Sequence, residues 1–80
     1  MKTFNWYEIL KSTDKNWIVA NNKVYDITQL FEIHPGGKNC LINHIGKDCT
    51  LDYNFHSKNG KLEWKKYQIG YIKKKEYCII

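Results

Sequence analysis

The alternation of apolar and polar positions divides the chain into a strand-rich first half and a helix-rich second half. Asn16-Trp17-Ile18-Val19-Ala20, then Asn21-Asn22, then Lys23-Val24-Tyr25-Asp26-Ile27 reads as strand, turn, strand, with asparagine supplying the positive φ of a tight hairpin. Upstream, Asn5 caps a short helix through about Lys11, whose apolar residues Trp6, Ile9 and Leu10 fall at i, i+3 and i+4 and pack against the hairpin. Downstream, Asp26 or Thr28 starts a helical turn through Phe31. It stops at His34-Pro35-Gly36-Gly37, which holds the only proline and the only Gly-Gly of the chain.

Beyond that break, Cys40, Leu41, His44 and Ile45 share one face of a predicted helix ended by Gly46. A second helix is predicted from Asp48 to about Phe55 and a third from Lys61 to Lys66 with Leu62 inward. Gln68-Ile69-Gly70-Tyr71-Ile72 reads as a closing strand. The expectation is one α+β domain over residues 1–80, in which hairpin and closing strand form a small twisted sheet and two helical pairs stand on it.

With 80 residues and 42% hydrophobic content, a second domain has no room. So small a core buries only roughly 60% of the unfolded chain's surface, so an additional staple is expected. Three cysteines (Cys40, Cys49, Cys78) without a C-x-x-C pair argue against a disulfide framework and for a reducing compartment. The longest apolar runs are far below the about 20 residues of a membrane span, and the N-terminus lacks the apolar core of a signal peptide. A soluble, cytoplasmic, monomeric protein is expected. All 13 basic residues are lysine, and Lys, Asn, Ile, Tyr and Phe make up half the chain, the bias of an AT-rich coding sequence. The net charge of +5 nevertheless lies wholly in residues 34–80, since residues 1–33 hold equal numbers of lysines and acids.

Six short blocks stand in a telling order: Trp17-Ile18-Val19, Val24-Tyr25-Asp26-Ile27-Thr28, His34-Pro35-Gly36-Gly37, Gly46-Lys47-Asp48-Cys49-Thr50, His56-Ser57 and Ile69-Gly70-Tyr71-Ile72. In them the chain resembles the cytochrome b5 haem-binding domain from about Phe4 to Ile72. The resemblance implies a cytochrome b5-like fold around a non-covalent haem b, low-spin and six-coordinate, with His34 and His56 as its axial ligands. It also implies a ring hydrogen bond from His34 to a carbonyl near Gly37 and from His56 to the carbonyl of Tyr53, which would fix each tautomer. Ser57 matches the family residue that binds a haem propionate, and Leu30, Cys40, Leu41, Tyr53, Phe55 and Tyr67 would form the walls. Iron with both axial positions filled suits one-electron transfer rather than catalysis. The implied role is a carrier, not an enzyme. It would accept electrons from a flavin-dependent reductase, such as cytochrome b5 reductase, and pass them to an acceptor protein, oxidase or desaturase.

Three features depart from the family's commonest animal form: two residues fewer separate Thr50 from His56, Leu30 replaces an aromatic, and Lys38, Lys47 and Lys58 replace an acidic rim. Opposite charge steers encounter, so an acidic partner surface is expected. Competing readings exist. Cys40, His44, Cys49 and His56 form C-x3-H-x4-C-x6-H, four zinc-type ligands, yet the spacing matches no common module. Lysines 58 to 75 interleaved with aromatics would suit nucleic acid, but without arginine there is no bidentate recognition of phosphate or guanine. Lys73-Lys74-Lys75 beside Ile79-Ile80 would give only marginal membrane attachment, so neither nucleic acid nor stable membrane insertion is expected.

Overall fold

In the computed structural model, residues 1–32 and 41–73 are described. His34-Pro35-Gly36-Gly37 and Cys40 lie outside them, as does Cys78. Four strands, β1 (Lys2–Phe4), β2 (Trp17–Ala20), β3 (Lys23–Asp26) and β4 (Gln68–Ile72), form one mixed sheet in the order β1-β4-β3-β2. The hairpin predicted from sequence is the β2–β3 pair, with Val19 opposite Val24. Asn21 and Asn22 both take positive φ in its turn, at 51° and 63°, as a two-residue hairpin that follows the strands' twist requires.

β1 is not foreseen by the sequence pattern, because three residues are too few to show alternation. It pairs parallel to β4, Lys2 opposite Gly70 and Phe4 opposite Ile72. Gly70 permits the close approach: a Cβ there would stand 2.1 Å from the Lys2 carbonyl oxygen and 2.7 Å from the Phe4 ring. Only glycine fits.

The apolar run of β2 and β3 splits by period two between two cores. Val19 and Val24 join Phe4 and Ile9 on one face. Ile18, Ala20 and Tyr25 join Ile27, Leu41 and Cys49 on the other. The first face is covered by helix α1 (Trp6–Lys11), started by a reciprocal capping box in which Asn5 Oδ1 accepts from the Glu8 N–H and Glu8 Oε1 from the Asn5 N–H. Of its apolar positions only Ile9 is fully buried, whereas Leu10 is exposed. The helix is thus tied down through a single side chain with Trp6 packed beside it.

The second face carries α2 (Thr50–Asn54) and α3 (Lys58–Lys65). α2 is shorter than the predicted Asp48–Phe55, because Asp48 acts ahead of the helix instead of in it: its Oδ1 accepts from the Thr50 N–H at 2.9 Å and the Thr50 hydroxyl at 2.6 Å. The same Asp-x-Thr clasp occurs at Asp26 and Thr28, which open the 3-10 turn Thr28–Glu32. α3 starts three residues before the predicted Lys61, since Ser57 Oγ accepts from the Gly60 N–H and caps it there. Leu62, expected inward, is exposed, and Trp64 takes the inward place. The predicted helix ahead of Gly46 is helical only at residues 41–42 among those described, followed by a turn over 43–46. Gly46 closes it with φ of 76°. The chain then runs beside β2: the Gly46 N–H donates to the Trp17 carbonyl at 2.8 Å and the Val19 N–H to the Lys47 carbonyl at 3.1 Å. This bracing sets where α2 begins.

Candidate functional site

Between the second face of the sheet and α3 lies an apolar cleft. Ile18, Tyr25 and Ile27 form its floor, Leu30 and Leu41 one wall, and His56, Trp64 and Tyr67 the other, around about 440 Å³ of open space including the mouth. Tyr25 stays a neutral phenol, because burial, and after it the neighbouring Tyr53, pushes its pKa up to about 12. The floor therefore carries no charge at physiological pH.

His56 sits where α2 ends and α3 has yet to begin. Its backbone N–H donates to the Tyr53 carbonyl at 3.0 Å, while its ring Nδ1 lies 2.7 Å from the carbonyl oxygen of Asp52. A carbonyl only accepts, so Nδ1 carries the proton and Nε2 is left with the lone pair, the form in which imidazole binds a metal. The carbonyl expected to orient the ring was that of Tyr53. The structure corrects it to Asp52, because Tyr53 is already engaged by the backbone and the ring reaches one residue further back.

Trp64 organises this wall. Its ring meets Tyr25 at 5.1 Å, Tyr53 at 5.0 Å and His56 at 5.3 Å between centroids, all edge to face. Such pairs contribute about 0.5–1.5 kcal/mol each beyond area burial. The two tyrosines thus fix the indole, and the indole in turn packs against the imidazole.

Of the expected site residues, Leu30, Leu41, His56 and Tyr67 come together at the cleft. Tyr53 packs on the same core and touches the edge of Trp64 without lining the cleft. Phe55 is 88% exposed, and Ser57 is exposed as the cap of α3. His34, Gly37 and Cys40 fall outside the described residues. Ile18, Tyr25, Ile27 and Trp64 are lining residues that motif reasoning missed. The signal for the first three was present in the alternation of the hairpin, whose second face has no helix assigned to it from residues 1–33. The four-residue zinc set does not assemble among the described residues: His44 and Cys49 meet Asp52, whereas His56 lines the cleft.

A mixed sheet, short helices and an imidazole held between two of them at the mouth of an apolar cleft define a cofactor-holding α+β domain. Comparison with known proteins gives that class its family. The sequence profile of the "Cytochrome b5-like Heme/Steroid binding domain" matches residues 3–73, and the chain belongs to that family. Cytochrome b5 of the housefly Musca domestica is 38% identical over 74 residues, covering 88% of this chain and 55% of the relative. Acyl-lipid (8-3)-desaturase B of Dictyostelium discoideum is 38% identical over 82 residues, covering 96% of this chain and 18% of the desaturase. The chain thus spans about half or less of the length of these curated relatives. Among solved structures, cytochrome b5 of Ostreococcus tauri virus 2 superposes with a TM-score of 0.74 at 31% identity, covering 88% of this chain and 95% of that one. The expected α+β, cytochrome b5-like fold is borne out, and the class is that of electron-transfer haem proteins.

Proposed function

We propose that the domain holds a b-type haem between His34 and His56 and carries single electrons from a flavin-dependent reductase to an acceptor protein. The observation that carries this reading is His56: an imidazole at an apolar cleft, its ring proton committed to the Asp52 carbonyl at 2.7 Å and its other nitrogen in ligand form. A steroid, the other ligand class in the family's description, offers no metal for that nitrogen to bind. The apolar floor of Ile18, Tyr25 and Ile27 matches the apolar body of a porphyrin.

Each residue has a task in this reading. His56 and His34 would both ligate the haem iron, which would then supply one-electron chemistry rather than oxygen binding. Asp52, through its backbone, keeps the His56 tautomer. Leu30, Leu41 and Tyr67 exclude water from the cleft, with Tyr53 supporting Trp64 behind that surface. Gly37 and Cys40 are assigned to cofactor binding in this reading, and Ser57, exposed beside His56, would receive an anionic propionate while Phe55 would shield the rim. When bound, haem supplies a one-electron iron couple. The similarity to a desaturase in which such a domain occupies 18% of the length suggests lipid-modifying oxidases among the acceptors.

Single-ligand variants test the assignment. His34→Ala and His56→Ala are each expected to lose the low-spin haem spectrum, whereas His44→Ala keeps it. Retention of that spectrum in His56→Ala would refute the assignment.

A further inference from the structure

We propose that His44, Cys49 and Asp52 form a second site, separate from the haem cleft, that binds one divalent transition-metal cation of the zinc class. A ring nitrogen of His44, Sγ of Cys49 and a carboxylate oxygen of Asp52 all lie within 4.8 Å of one another. Zinc with ligands at about 2.0–2.3 Å places tetrahedral donors about 3.3–3.8 Å apart, so closing this triangle takes movements of about 1 Å. Imidazole, thiolate and carboxylate are its three preferred donor types.

The position of Cys49 supports the reading independently. It is the N-cap residue of α2, a place that favours Ser, Thr, Asp or Asn, yet its side chain makes no capping hydrogen bond. Instead Sγ turns inward, 1% exposed for the residue, and among the described residues it faces the His44 and Lys47 carbonyls at a weak 3.6 Å. Burial, then Asp52 and Asp48, raise the thiol pKa to about 12 against a smaller lowering by Lys47. A cation at this point reverses that balance, because the nearby carboxylates that repel a bare thiolate attract the metal.

Geometry also provides an entrance. The side chains of His44 and Asp52 retain 32% and 55% exposure, with His44 Nε2 3.2 Å from Asp52 Oδ2, so the ion enters from solvent between them while sulfur forms the floor. On binding, the contact between His44 and Asp52 opens, the neutral imidazole and the carboxylate each donate a lone pair, and the Cys49 thiol releases its proton to solvent as the metal–sulfur bond forms. The fourth position is left for water. The bracing of residues 46–49 along β2 holds the thiol in place before the ion arrives.

The test is calorimetric titration of the haem-loaded protein with zinc chloride in two buffers of different ionisation enthalpy, followed in parallel by the Soret band. One zinc per chain is expected, with proton release and an unchanged Soret band. Cys49→Ser, His44→Ala and Asp52→Asn should each weaken binding by at least the roughly 10–100-fold that loss of an outer-shell partner costs a metal site. His44 has no part in holding haem, so the haem spectrum of His44→Ala reports that folding is intact. Equal affinity in all three variants, absence of stoichiometric binding, or zinc uptake only with loss of haem would overturn the proposal. It stands apart from the haem reading: one-to-one binding that survives His56→Ala and is lost on adding Cys49→Ser supports the site whether or not the cleft takes haem.

Discussion

At the scale of single residues, the site turns on how one imidazole is held. His56 has a backbone carbonyl at its Nδ1 and the edge of Trp64 against its ring, so both proton position and orientation are set before any ligand arrives. The sequence exposes His56 through the His-Ser pair and the ordered motifs around it, but not the role of Trp64. That residue stands in a helix whose charged neighbours Glu63 and Lys65 mask its inward direction, and the pattern pointed to Leu62 instead. Trp64→Leu keeps an apolar side chain yet removes three ring contacts. Haem affinity measured by titration of the haem-free protein is expected to fall on the order of tenfold, equivalent to about 1.4 kcal/mol. Unchanged affinity would mean that the Asp52 carbonyl alone positions the ring.

At the scale of elements, two Asp-x-Thr clasps, Asp26 with Thr28 and Asp48 with Thr50, release the chain from extended segments into the turns that reach the cleft. Each threonine hydroxyl also receives a distant donor, Thr28 from the Asn16 amide at 3.1 Å and Thr50 from the Asn21 backbone at 2.9 Å, which ties both turns to the hairpin. The hairpin, the first helix and the closing strand were legible because their periodicity is local. β1 was not, because its only warrant is a pairing across most of the chain, registered by Gly70. Gly70→Ala should lower stability by about 1–3 kcal/mol, as overpacking does, while leaving the haem spectrum intact. A Cβ at Gly70 would point at Phe4, in the core on the sheet face opposite the cleft. Thermal unfolding monitored at the Soret band separates the two effects; haem loss at an unchanged melting temperature would contradict this placement.

At the scale of the whole molecule, a small domain has a core divided between two faces of one sheet, and among the described residues one face leaves an apolar cleft open. Ligand binding to the folded state alone adds stability by mass action, about 2.7 kcal/mol at a hundredfold excess over Kd, so the haem-free form is expected to be looser. No helix among the described residues is long and apolar enough to cross a membrane. Exposed Lys47 precedes α2 and exposed Lys58 opens α3, within a half of the chain that carries the net +5. Electron transfer to the basic acceptor cytochrome c is therefore expected to speed up with added salt, as like charges are screened. A rate that falls with salt would mean that an unlike-charged face of this domain does the docking. The central claim is met most directly by the visible spectrum of the purified protein, with haem added if it is colourless, before and after dithionite. The account predicts a Soret band that shifts on reduction, sharp split α and β bands, and no change under carbon monoxide. Failure to bind haem, or a reduced spectrum altered by carbon monoxide, would contradict a closed bis-histidine site.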